Sequence, residues 1–172
     1  IEILQKFQNG EINILIGTQM IAKGLDNPNV TLVGVINADL SFNLPDYRSS
    51  ERGFSLLTQV AGRSGRGGHK GKVIFQTYNP QNLFLQKAKE QDYISFFEKE
   101  KELRQEYDYP PYSKIIRIII SSKEEFKAEH ACLEITTHLE NYIKKLSLDE
   151  RIIVLGPTPC VIGKIRGEWR YN

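Results

Sequence analysis

Residues 31–67 read TLVGVINADLSFNLPDYRSSERGFSLLTQVAGRSGRG. The stretch opens on TLVGVIN, residues 31–37, an apolar run rich in Val and Ile of the kind that forms a strand buried in a parallel sheet. Pro45 and Asp46 then start a helix expected to run to about Ala61, with Phe54, Leu56, Leu57, Val60 and Ala61 on its apolar side. Gly65, Gly67 and Gly68 end it. Outward from this stretch, KVIFQTY at 72–78 reads as a further strand and NILIG at 13–17 as an earlier one. Ile1, Leu4 and Phe7 have near-helical spacing, and Asn9-Gly10 stops that helix. Strands alternating with helices predict a parallel α/β sheet.

Residues 83–107 are charged and helical in pattern, with Phe84, Leu85, Tyr93, Phe96, Phe97 and Leu103 as the apolar side and 98–106 as a solvated face. Tyr109-Pro110-Pro111-Tyr112 cannot continue a helix, which places a domain junction between about Lys101 and Tyr112. The expected domains are therefore 1–100 and 101–172. The second reads as a small α+β module: a strand at 114–121, an amphipathic helix at 123–146, a strand at 152–155, and a hairpin at 161–171 around Gly167. On the helix, Phe126, His130, Leu133, Ile135, Leu139 and Ile143 are the inward candidates.

The chain has 172 residues, enough for one domain or two small ones. With 23 basic and 21 acidic residues the net charge is +2, so composition alone signals neither a strongly basic nucleic-acid binder nor a disordered chain. Cys132 and Cys160 cannot by themselves build a disulfide scaffold or a four-ligand zinc site, and both read as small buried hydrophobes. No apolar run approaches the roughly 20 residues of a membrane span. The chain opens on Ile1 with no signal-peptide pattern and stops at Asn172 in a strand, so both ends are expected to be cuts from a longer chain.

Two motifs carry chemistry. In QVAGRSGRG, residues 59–67, Arg63 and Arg66 lie three apart, on one side of a helical turn, with glycines that permit close backbone approach. Paired guanidinium groups at a cleft stabilise the charge that develops on a transferring γ-phosphate. A basic helix C-terminus with glycine caps is the plainer alternative for the two arginines alone. In ILIGTQMIAKGLDNPNV, residues 14–30, Thr18 and Gln19 follow a strand at its carboxyl end, where ligands sit in open α/β sheets, and Lys23-Gly24-Leu25-Asp26 makes a tight turn. Singly, Thr18 also reads as a helix cap and Asp26 as a turn residue before Pro28. At the far end Lys164, Arg166, Trp169, Arg170 and Tyr171 mix cations with rings, as a DNA-binding surface does. Period-2 alternation there equally describes a strand with Trp169 and Tyr171 inward.

ILIGTQMIAKGLD resembles motif V and QVAGRSGRG motif VI of superfamily 2 helicases, both carried by the second RecA-like lobe. The stretches TLVGVINADLSFNLPDYRSSER, IFQTYNP, YPPYSKIIRI and VLGPTPCVIGKIRGEWRYN extend the resemblance over nearly the whole chain, to the primosomal helicases of replication restart. The resemblance implies a RecA-like α/β lobe followed by a small α+β domain. It also implies an ATP-dependent 3′–5′ DNA helicase that recognises stalled or branched forks and initiates primosome assembly.

Carried over residue by residue, Arg63 and Arg66 match the arginines that reach the ATP γ-phosphate, and Gln59 the polar residue that opens motif VI. Gly24 and Asp26 match positions that couple the nucleotide site to DNA; Thr18 matches the DNA-backbone contact, with Gln19 and Lys23 beside it. Lys164, Arg166, Trp169 and Arg170 fall in a domain that helps bind branched DNA in the family. The implied cofactors are ATP with Mg2+, plus zinc held in the full-length chain but not here, since these residues contain no GxxxxGK[ST] loop, DExH motif or zinc-binding cysteine cluster. This stretch alone is accordingly expected to be inactive as an ATPase. The implied partners are branched and single-stranded DNA, single-stranded DNA-binding protein and other primosome proteins, in the cytoplasm, with no membrane. Asn27 stands where the family usually has an aromatic, Ser64 replaces a common alanine, and Glu168 sits in a tail often more basic. The rival reading is a non-catalytic nucleic-acid-binding or scaffolding module on a helicase fold.

Overall fold

The computed structural model describes residues 2–18, 27, 29–62, 64 and 71–172. The chain divides into two compact units, Ile1–Ser113 and Lys114–Asn172.

The first unit begins with helix α1 (Glu2–Gln8), which ends at Gly10 in the left-handed region, φ 79°. Strand β1 (Leu32–Val35) pairs in parallel with β2 (Lys72–Phe75), Leu32 opposite Lys72 and Val35 opposite Phe75. Between them lie a short helix α2 (Asp39–Phe42) and the longer α3 (Ser49–Ala61). Then follow α4 (Leu83–Glu90) and α5 (Tyr93–Glu106). Ala38, Phe54, Leu57, Leu85, Ala88 and Phe96 form the buried core, with Val35, Phe42, Phe75 and Phe84 packed against it. Phe54 stacks on Phe96 at 4.1 Å between ring centroids.

Helix α3 buries Ser49, Gly53, Phe54, Leu57 and Val60, spaced by helical turns. Gly53 is required there: a Cβ would lie 2.7 Å from the Phe42 ring. The expected start at Pro45 moves to Ser49 because Asp46 forms a turn first, accepting the Arg48 backbone N–H at 2.9 Å and the Arg52 guanidinium at 2.8 Å.

The single helix expected at 83–107 is two. Gln91 adopts φ 55° and closes α4, and the Asp92 carboxylate accepts the Ser95 N–H at 3.0 Å to cap α5. The Ser95 hydroxyl foremost, then this backbone cap and Lys87, hold the Asp92 carboxyl at about 2. Tyr93 and Phe97, expected inward, are 58% and 46% exposed. The stretch expected as solvated instead buries Glu100, whose carboxylate meets Arg104 Nε at 3.0 Å, while Arg104 Nη2 reaches Glu51 at 2.8 Å. The same guanidinium lies 5.3 Å from the Tyr47 ring centre and donates to the Pro110 carbonyl at 3.3 Å.

Residues 13–17, expected to be a buried strand, form none: Ile14 and Ile16 are 75% and 84% exposed. An Ile-rich run becomes a strand only against a paired edge, and among the described residues no ladder reaches it.

In the second unit, β3 (Ile120–Ser122), β5 (Glu168–Tyr171) and β4 (Pro159–Ile165) form an antiparallel sheet in that order. Helix α6 (Glu125–Lys145) packs on β3 and β5. The expected hairpin is present: Ile165 pairs with Glu168, and Arg166 and Gly167 make the turn at φ 51° and 86°. The strand expected at 114–121 shrinks to β3, and 152–155 is not a strand; Ile116, Ile153 and Leu155 are exposed. The six inward candidates of the helix are also not its buried face, which is Ala128 and Cys132 against Tyr171, Ile120 and Trp169. Small residues allow the helix axis to approach the sheet, so the larger apolar groups end up to the sides, Phe126 at 72% exposure. Both cysteines are buried, and burial pushes the Cys132 thiol up.

Candidate nucleotide and nucleic-acid site

The arginine string leaves α3 at its C-terminus. Gln59 is exposed on the last turn, and Gly62 closes the helix, its N–H donating to the Thr58 carbonyl at 3.1 Å. Ser64 sits where the parallel strands begin: its hydroxyl is 3.3 Å from the carbonyl oxygens of both Thr31 and Lys72. Ser64 is thus tied to the amino ends of β1 and β2, a contact an alanine could not make. Arg63 and Arg66 themselves lie outside the described residues, as do Gln19, Lys23, Gly24 and Asp26. Gln59 faces outward at the helix end, and the two arginines follow it in sequence.

Thr18 is described and exposed, and it does not follow a strand, because 13–17 pairs with nothing described. Asn27 is buried at 6% exposure; its amide donates to the Phe7 carbonyl of α1 at 3.4 Å and its Oδ1 accepts the Asn29 N–H at 3.0 Å. The residue that stands where the family usually has an aromatic is therefore a tie between α1 and the approach to β1.

At the hairpin, Lys164 Nζ lies 4.6 Å from the centre of the Trp169 ring, its cross-strand partner. Trp169 packs on the Ala128–Cys132–Tyr171 core, so it serves the interior and the cation together. Arg166 is exposed at the turn. Arg170 stands on the other face of β5, opposite Ser121, whose hydroxyl donates to Glu168 at 3.1 Å. The basic and aromatic residues that cluster in sequence are divided between two sheet faces.

Sequence reasoning missed a latch at the opposite, carboxyl edge of the parallel strands. The Asp39 carboxylate accepts the Thr77 hydroxyl at 2.6 Å and the Tyr78 N–H at 2.8 Å, which draws its carboxyl below the ordinary range. The signal was available in Asn37-Ala38-Asp39 directly after a strand, a position where side chains tie neighbouring strand ends.

Residues 1–68 match the family described as helicase conserved C-terminal domain, and residues 105–172 match the primosomal protein N C-terminal domain. The chain belongs to the PriA family. It is 42% identical over 172 residues to the replication restart protein PriA of Borreliella burgdorferi, covering 100% of this chain and 25% of that one. With PriA of Bacillus subtilis it shares 42% over 171 residues, 99% of this chain and 21% of the relative; with PriA of Rickettsia felis, 45% over 171, 99% and 25%. The chain thus spans about a quarter of the length of the curated relatives it matches. The helicase-domain match contains α1, β1, α2, α3 and the arginine string; the primosomal-domain match contains the whole antiparallel unit. The fold is α/β, its first unit RecA-like. Among the described residues no helix is long and apolar enough to cross a membrane.

Proposed function

We propose that this chain is the C-terminal part of an ATP-dependent 3′–5′ DNA helicase that recognises stalled or branched forks and initiates primosome assembly. The observation that carries the reading is the end-to-end likeness to replication restart PriA proteins, through a helicase region and a primosomal region in one chain. The division expected at 100/101 falls inside α5, so we assign the motor lobe to the first unit, Ile1–Ser113, and DNA and partner binding to the second, Lys114–Asn172.

Magnesium-bound ATP supplies the phosphoanhydride whose hydrolysis drives movement. Arg63 and Arg66 would neutralise charge on its γ-phosphate, with Gln59 contributing a polar contact and Gly24 and Asp26 linking that site to DNA. Thr18, Gln19 and Lys23 would touch the strand backbone, and Lys164, Arg166, Trp169 and Arg170 would contact branched DNA. Zinc, single-stranded DNA-binding protein, other primosome proteins and a cytoplasmic setting belong to the same reading of the longer protein.

The test is fork-stimulated ATP hydrolysis by the full-length chain, wild type beside Arg66→Ala. The variant should still bind nucleotide while its turnover falls by about 10³-fold or more, as for other arginine fingers. A variant that hydrolyses ATP normally sinks the role of Arg66. A wild type that DNA does not stimulate leaves the non-catalytic binding module as the better description.

A further inference from the structure

We propose that the carboxyl edge of the β1–β2 sheet is a pocket for one base of single-stranded DNA, stacked on Tyr78 and read by the side-chain amides of Asn37, Asn43 and Asn79. The inference rests on the DNA-motor reading above and adds a site to it.

Four observations converge on this edge. A cavity of about 300 Å³ lies there, lined by Asn37, Asp39, Leu40, Asn43, Tyr78, Asn79 and Asn82. That is at the small end of ligand sites and suits one ring rather than a nucleoside triphosphate. Its frame is built: the Asp39 latch joins the end of β1 to that of β2, and Asn37, at φ 57°, donates its N–H to the Gln76 side chain at 2.8 Å. Tyr78 is 83% exposed, a ring left outside every core cluster. The side-chain amides of Asn37, Asn43 and Asn79 make no hydrogen bond among the described residues.

Charge selects the part of the nucleotide. Among the described residues no Lys or Arg lines the pocket and a carboxylate does, so a phosphate is unwelcome while the uncharged edge of a base is not. Amides offer a donor and an acceptor side by side, the pattern a base edge complements, and an exposed ring supplies a stacking face indifferent to base identity. The carboxyl ends of parallel strands are also where open α/β sheets hold ligands.

The experiment titrates this chain into a fluorescein-labelled single strand of mixed sequence and into an abasic strand of equal length, at several salt concentrations. Tyr78→Ala should weaken binding of the mixed strand by about 5-fold or more. Tyr78→Phe, which keeps the ring, should bind as wild type does. On the abasic strand Tyr78→Ala and wild type should agree, and the salt slope should be unchanged, because no phosphate contact is lost. Exposure of the side chain keeps folding out of the comparison.

Equal binding of the mixed strand by Tyr78→Ala and wild type overturns the site while leaving the DNA reading intact. Equal losses on both strands also overturn it, since the ring would then not be meeting a base. If the wild type binds neither strand, the nucleic-acid reading of this chain falls and the pocket falls with it.

Discussion

The two units solve the burial problem differently. The first packs helices on a parallel sheet and fills the space with large rings: Phe54 stacked on Phe96, Phe84 edge-on to Phe96, and Leu57 fully enclosed. The second lays one long helix over an antiparallel sheet through Ala128 and Cys132, with Tyr171 as its one large, nearly closed-off side chain. Close approach of small residues gains dispersion contacts but little apolar area, so the second unit should draw less of its stability from any one side chain. The lesson is that a strong apolar pattern in sequence does not measure the core it builds. Residues 114–121 and α6 look richly apolar, yet much of that surface stays exposed.

The largest test of this contrast is Leu57→Ala, which should cost about 2–5 kcal/mol in chemical unfolding followed by circular dichroism. Leu133→Ala, at a position 49% exposed on α6, should stay within about 1 kcal/mol. Similar losses at both sites would dissolve the distinction between the units.

Next comes the buried ion cluster of the first unit. Burial would lower the Arg104 pKa, but hydrogen bonds to Glu51 and Glu100 outweigh it, so this always-charged guanidinium holds its proton still more firmly. Arg104→Met should cost roughly 1–3 kcal/mol, because it strands the Glu100 carboxylate without a partner. A neutral result would mean that the Tyr47–Tyr109 stack at 5.7 Å holds this region unaided.

Gly53→Ala pits the helix preference for alanine, about 1 kcal/mol, against the Phe42 ring. We expect a net loss of about 1 kcal/mol, restored when Phe42 is also shortened to Leu.

A smaller, pH-dependent effect belongs to the α5 cap. The Asp92 carboxyl lies at about 2 in the fold against 3.8 ordinarily. A depressed carboxyl stabilises the fold above its unfolded value and loses that contribution as pH falls through its folded one. Stability should therefore decline from about pH 4 towards pH 2, and Asp92→Asn should flatten that part of the curve in thermal melts. An unchanged acid limb would show that the decline comes from other carboxylates.

Smallest of all, Lys164→Gln should cost about 0.5–1 kcal/mol and shift the fluorescence of Trp169, the single tryptophan of the sequence. Emission identical to the wild type would mean that the ammonium does not rest on the ring.

Periodicity and turn chemistry were enough to place α1, α3, β1, β2, α6 and the hairpin at Gly167, because each is specified by neighbours a few residues apart. The α4–α5 break was legible in Asp92, an N-cap residue, but the unbroken charge pattern of 98–106 hid it. The strings at 14–30 and 59–67 carried the resemblance to superfamily 2 helicases. What tertiary structure decided was long-range. Whether 13–17 forms a strand depends on a pairing edge, and which side of α6 is buried depends on how closely it approaches the sheet. Ser64 meets Thr31, Asp39 meets Thr77, and Arg104 meets Glu51 only once the chain has folded back across tens of residues. Local sequence encodes what each segment prefers; only packing determines which preferences are met together.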